Sequence, residues 1–290
     1  MGLRSTRHTL LAAASAIGVV AGLVLVAAES LNLVDVLSYS QVPTYRQVSQ
    51  ALTLSGAAAL AGAFGASVLG FLHGIRAQLL ALAALLFGAY GAANFAGRLV
   101  NILMQTTDQP WKFLAAQAAS TAEPFALLVA GLLLAAAVRS KRPGRLLGWV
   151  CGALAAHYAL AATAYGFDLA GEYDQNFFTP PSRVLAWLGI DGGGYLLCAI
   201  AALVATIAFF AGGSQRYRKL GVGAAAFVVG FLTVTAGIIV LATGGAPVAS
   251  LCLTATFPFV LAVAAGVGAA AFFSLDQRDG ADLAVLPDSV

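Results

Sequence analysis

Eight stretches of the chain are apolar for about 20 residues or more, and polar residues collect in the gaps between them. A hydrocarbon layer about 30 Å thick is crossed by roughly 20 helical residues, and a helix satisfies its own backbone hydrogen bonds in lipid. The pattern therefore predicts eight membrane-spanning helices, over 9–29, 51–73, 77–101, 113–138, 147–168, 192–212, 220–243 and 247–273. The expected fold is all-α: a polytopic transmembrane bundle over residues 1–275, followed by a flexible polar tail over 276–290 on the cytoplasmic side.

Composition places the chain in the same class. Hydrophobic residues make up 60% and charged residues 9% of the 290 positions, against about 25% charged in soluble domains. No segment between spans is long enough for a soluble domain. No block of like charge and no basic–aromatic stripe points to nucleic acid.

The basic residues alternate from gap to gap, and that alternation predicts orientation. With the N-terminus inside, Arg4, Arg7, Arg76, Arg139, Lys141, Arg142, Arg145, Arg216, Arg218, Lys219 and Arg278 are cytoplasmic. The opposite face keeps Arg46, Arg98, Lys112 and Arg183. Both termini are thus expected in the cytoplasm, in a cell membrane of the bacterial inner-membrane type. Val26-Ala27-Ala28 before Glu29 also fits a signal-peptide cleavage site. The apolar run is, however, longer than a usual signal core, which favours a retained helix.

Regular spacing suggests repetition. Pro43, Pro110, Pro180 and Pro247 mark the outer connections, and Arg7, Arg76, Arg145 and Arg216 the inner ends. A period of about 70 residues corresponds to four tandem helical hairpins, although evenly sized helices give the same spacing without duplication. Inner connections are short. The outer ones, about 30–50 and 169–191, are longer and hold acidic, amide and aromatic residues, with Ser182 placed to cap a short helix over 183–188.

Cofactor chemistry finds no footing. His73 and His157 lie at different depths, so they do not form a haem pair, and no second ligand at helical spacing supports zinc. Cys151, Cys198 and Cys252 sit inside spans without a CxxC pattern. No lysine lies in a span, which excludes a retinal Schiff base. Nucleotide-binding and hydrolase motifs are absent. No cofactor and no metal is expected.

What remains is polar chemistry inside the membrane, which is costly and rarely faces lipid. The third span carries Asn94, Arg98 and Asn101 on one stripe, and the fourth carries Gln117, Ser120, Thr121 and Glu123, followed by Pro124. Spans joined by a short connection should be antiparallel neighbours, so Arg98 is expected to reach Glu123. Pro124 removes a backbone donor at that depth. The fifth span adds a line of His157, Tyr165, Asp168 and Glu172. The candidates for ligand binding or proton coupling are therefore Asn94, Arg98, Asn101, Gln117, Glu123, His157 and Asp168; catalytic residues are not assigned.

Three function classes fit. They are a carrier or channel for a small solute or lipid, a non-catalytic accessory subunit of a larger membrane complex, and an enzyme acting on a lipid-linked substrate at the outer face. Small-residue helix faces such as Gly56–Gly62 and Ala264–Gly268 suit contacts with further membrane subunits or copies of the chain. The expected partners are membrane lipids and such subunits.

Overall fold

The computed structural model of the chain describes residues 2–39, 41–72, 76–104, 110–140, 143–174 and 193–210, with a few helical positions between 256 and 267. The described residues form six long helices and no strand. These are α1 (Gly2–Ser38), α2 (Thr44–Leu72), α3 (Arg76–Met104), α4 (Trp111–Arg139), α5 (Pro143–Asp174) and α6 (Gly193–Phe210). Each contains a segment long and apolar enough to cross a membrane. The expected seventh and eighth spans lie outside the described residues apart from those few positions. So do His73, Cys252, the expected short helix over 183–188 and the tail.

Six helices thus stand where the hydropathy pattern places the first six spans, but most are longer than expected. The largest correction concerns the outer segment about 30–50, expected as a long connection. There α1 runs to Ser38 and α2 begins at Thr44, which leaves only 39–43 between them. Polar residues ended the apolar run without ending the helix, because a helix can continue past the hydrocarbon edge while keeping its i to i−4 bonds. The small residues Val26-Ala27-Ala28 fall inside this continuous helix.

Packing is serial. Among the described residues every extensive interface joins a helix to its successor: α1 to α2, and so on to α6. Contacts run in antiparallel register. In the α3–α4 pair, Gly88 faces Gly131, Gly91 faces Pro124 and Leu128, and Phe95 meets Phe125, with ring centroids 5.4 Å apart.

The interfaces are built from small side chains and the outer surfaces from large ones. The buried apolar set is almost entirely alanine, including Ala21, Ala57, Ala81, Ala130, Ala161 and Ala202. Leu23, Leu69, Leu85, Leu132, Leu203 and Ile207 are exposed. A water-soluble bundle would reverse this order. In lipid the exposed leucines cost nothing, and helix association depends on close backbone approach, which small residues permit.

Glycine is required where two backbones come closest. A Cβ on Gly131 would lie 2.5 Å from Gly88 Cα and 2.8 Å from the Ala84 carbonyl oxygen. One on Gly91 would lie 2.7 Å from the Pro124 carbonyl oxygen. The obstacles are backbone atoms, which have no rotamer to escape into.

Candidate functional site

Some polar residues bond within their own helix, as Thr53 and Thr206 do, but a series of others joins one helix to the next. Glu29 Oε2 on α1 accepts from Gln50 Nε2 on α2 at 2.6 Å and from its own neighbour Asn32 at 3.3 Å. Ser49 on α2 accepts from Asn101 Nδ2 on α3 at 2.8 Å. Arg98 Nη1 on α3 donates to Glu123 Oε2 on α4 at 2.7 Å. His157 Nδ1 on α5 lies 3.1 Å from the Glu123 carbonyl oxygen and 3.6 Å from its carboxylate Oε1. A carbonyl can only accept, so this bond places the imidazole proton on Nδ1. From α5 to α6 the link is aromatic: Tyr195 stacks on Tyr165, with centroids 5.5 Å apart and planes 14° apart, and more loosely on Tyr158.

Arg98 has a second acceptor, and Pro124 provides it. Proline has no N–H, so the carbonyl four residues earlier, that of Ser120, loses its helical donor. Arg98 Nη1 donates to that Ser120 oxygen as well as to Glu123. In lipid a freed carbonyl must find a donor from a neighbouring group, and here a guanidinium from α3 serves. The proline and the arginine are therefore parts of one arrangement.

The stripe Asn94, Arg98, Asn101 divides between two neighbours. Asn101 turns to α2, and Asn94 donates to its own Tyr90 carbonyl at 2.9 Å while lying against Gly56. Arg98, about 40–60° further round the helix at 3.6 residues per turn, reaches α4 instead. Three residues on one stripe thus do not share one site.

A cleft of about 320 Å³ opens beside the ion pair. Its walls are Arg98 of α3, a stripe of α4 (Phe113, Ala116, Gln117, Ser120, Glu123) and a stripe of α5 (Ala161, Ala164, Tyr165, Asp168). Helices α4 and α5 are held together at both of its ends. At the deep end His157 meets the Glu123 carbonyl. At the other end Trp111 packs edge-on against Phe167, and Phe113 lies over Gly171, where a Cβ would come within 3.0 Å of the ring. Between those contacts alanines on both helices leave open space.

Of the expected candidates, Arg98, Gln117, Glu123 and Asp168 line this cleft. His157 touches Glu123 from behind, and Asn94 and Asn101 belong to the α2–α3 interface. The side chain of Glu172 lies outside the described residues. Glu29, Ser49 and Gln50 were missed: Glu29 is the last residue of the expected first span, and Ser49 and Gln50 fall in the segment 30–50 that hydropathy assigns to a connection. Phe113 and Tyr195 were missed because an aromatic residue in an apolar span carries no distinguishing signal. No group of three His, Cys, Asp or Glu that could hold a metal occurs among the described residues.

Among the described residues, six helices long and apolar enough to cross a membrane, an inverted size distribution and a cleft with polar lining define an integral, multi-pass membrane protein. Comparison with known protein families, with characterised proteins and with solved structures finds no match to this chain.

Proposed function

We propose that the protein is a carrier or channel for a small solute or lipid, and that the cleft between α3, α4 and α5 is its ligand site. The observation that supports this reading is the cleft itself. It is an open space of ligand size, lined by ionised and amide side chains, at a depth where such groups are expensive unless they serve a purpose. Glu123 lies 12 residues into α4, about 18 Å along the helix at 1.5 Å per residue. In this reading Glu123 is the coupling residue, with Arg98 and His157 as its partners.

The basic-residue asymmetry supports a cytoplasmic location for both termini in a cell membrane, so that the cleft opens at the outer face. Cysteines placed at Ser40 should then label from outside intact cells, and cysteines at Ser140 should not.

The decisive test is reconstitution. Glu123→Gln keeps shape and removes charge. The expected result is wild-type assembly in detergent with loss of solute-driven flux in vesicles carrying an entrapped pH-sensitive dye. A variant that folds and fluxes like the parent would remove Glu123 from the mechanism.

The ion pair itself favours a second reading, the accessory subunit. Arg98, Glu123, Ser120 and His157 satisfy one another, as a purely structural clamp would. Native mass spectrometry from mild detergent separates the two. A carrier should fly alone or as copies of itself with retained small molecule or lipid; an accessory subunit should carry other membrane chains in fixed stoichiometry.

A further inference from the structure

The charges lining the cleft do not balance, and the excess has a sign. Arg98 is committed to Glu123 through a 2.7 Å bond and to the Ser120 carbonyl, which makes a pair of no net charge. The one other acidic or basic residue of the lining is Asp168, on the α5 wall at the end of its spanning segment. Asp168 has no hydrogen-bond or ion-pair partner among the described residues. His157 is turned to Glu123, and Lys112 is not part of the lining. Among the described residues the cleft thus carries one uncompensated carboxylate.

Its surroundings suit a particular kind of counter-charge. Tyr165 lies three residues before Asp168 on the same wall, its ring fixed by stacking on Tyr195. Phe113 is fixed opposite by Gly171. Aromatic faces attract cations and do not attract anions. Ala116, Ala161 and Ala164 complete an apolar floor. At about 30 Å³ per water-sized group, the volume admits roughly ten such groups. From these observations we propose that the cleft takes a small organic ammonium, its charged nitrogen on Asp168 and its apolar body against Phe113, Tyr165 and the alanines. The proposal rests on the ligand-site reading above and adds the charge class of the ligand. An unpaired carboxylate at the edge of the hydrocarbon is relieved when a cation joins it, which gives the site its selectivity.

Isothermal titration of the purified full-length protein in dodecyl maltoside, with benzylammonium, benzoate and benzyl alcohol as probes, tests this directly. Benzylammonium should bind at least tenfold more tightly than benzoate. Asp168→Asn should weaken it at least tenfold, and Asp168→Glu should restore most of it. A second arm adds short-chain phosphatidylethanolamine or phosphatidylglycerol. Competition by the ethanolamine lipid alone identifies an amine headgroup as the occupant, whereas competition by neither identifies a free amine. Benzoate binding in preference, or benzylammonium binding unchanged in Asp168→Asn, overturns the charge assignment and leaves the cleft standing as a ligand site. Binding of none of the three probes removes the ligand site and this proposal together. The comparison among probes on the wild-type chain holds whether or not the asparagine variant folds.

Discussion

The interface between α3 and α4 has two halves that solve the same problem differently. Toward the Arg139 end of α4 the helices touch through backbone, at Gly88 and Gly131, with no room for a single methyl group. Toward the Trp111 end they meet through long charged side chains, Arg98 on Glu123, and a cleft opens beside them. Phe95 and Phe125 mark the boundary. Close packing gives a rigid seam by dispersion and shape, while the ion pair spans a wider gap and leaves space next to it. One helix pair thus provides both an anchor and a cavity wall.

Breaking the anchor should have the largest effect. Gly131→Leu places a side chain into backbone that cannot yield, so a cost of about 3 kcal/mol, the upper end of the usual range for overpacking, is expected. Loss of folded protein in detergent, read by size-exclusion after heating, is the expected outcome. A wild-type melting curve would mean that α3 and α4 do not approach as closely as described.

The polar half should yield by a smaller amount. Removing one member of a buried pair costs about 3–5 kcal/mol, but the Arg98 side chain is 41% exposed and Glu123 17%, so about 2 kcal/mol is expected for Arg98→Ala. The double variant Arg98→Ala with Glu123→Ala should cost less than the sum of the two single changes. Strict additivity in thermal denaturation would dissolve the pair.

Pro124→Ala sharpens the comparison with the smallest shift. It restores an N–H to the Ser120 carbonyl, so a helical bond replaces one that Arg98 supplied. The net change should stay near about 1 kcal/mol. The cost of Arg98→Ala should fall in that background, because the arginine then has one acceptor fewer to abandon. An undiminished cost would separate the arginine from the proline-freed carbonyl.

Several features were legible in the residues alone, for physical reasons that differ from case to case. The six described spans follow from hydropathy, since lipid demands long apolar helices whatever their neighbours. The pairing of Arg98 with Glu123 was foreseeable because a short connection forces adjacent spans to be antiparallel, which brings the two within about a turn or two in depth, a gap that a long arginine side chain bridges. The Glu29–Gln50 contact was not foreseeable in that way. Polar residues near a membrane edge look alike whether the helix stops there or continues to Ser38.

By itself, then, the chain determined its solvent. Its long apolar runs and its scarcity of charge are properties of residues, additive along the sequence, and they select a membrane. The tertiary structure decided which polar groups meet. Asn94, Arg98 and Asn101 share a stripe in the sequence but face different helices, because α2 and α4 flank α3 on either side of it. The cleft is likewise a property of relation, formed where Ala116 on α4 and Ala161 and Ala164 on α5 lie between two fixed contacts. Absent side-chain volume becomes a cavity only once two helices are held at a set distance, and that distance is written in no single residue.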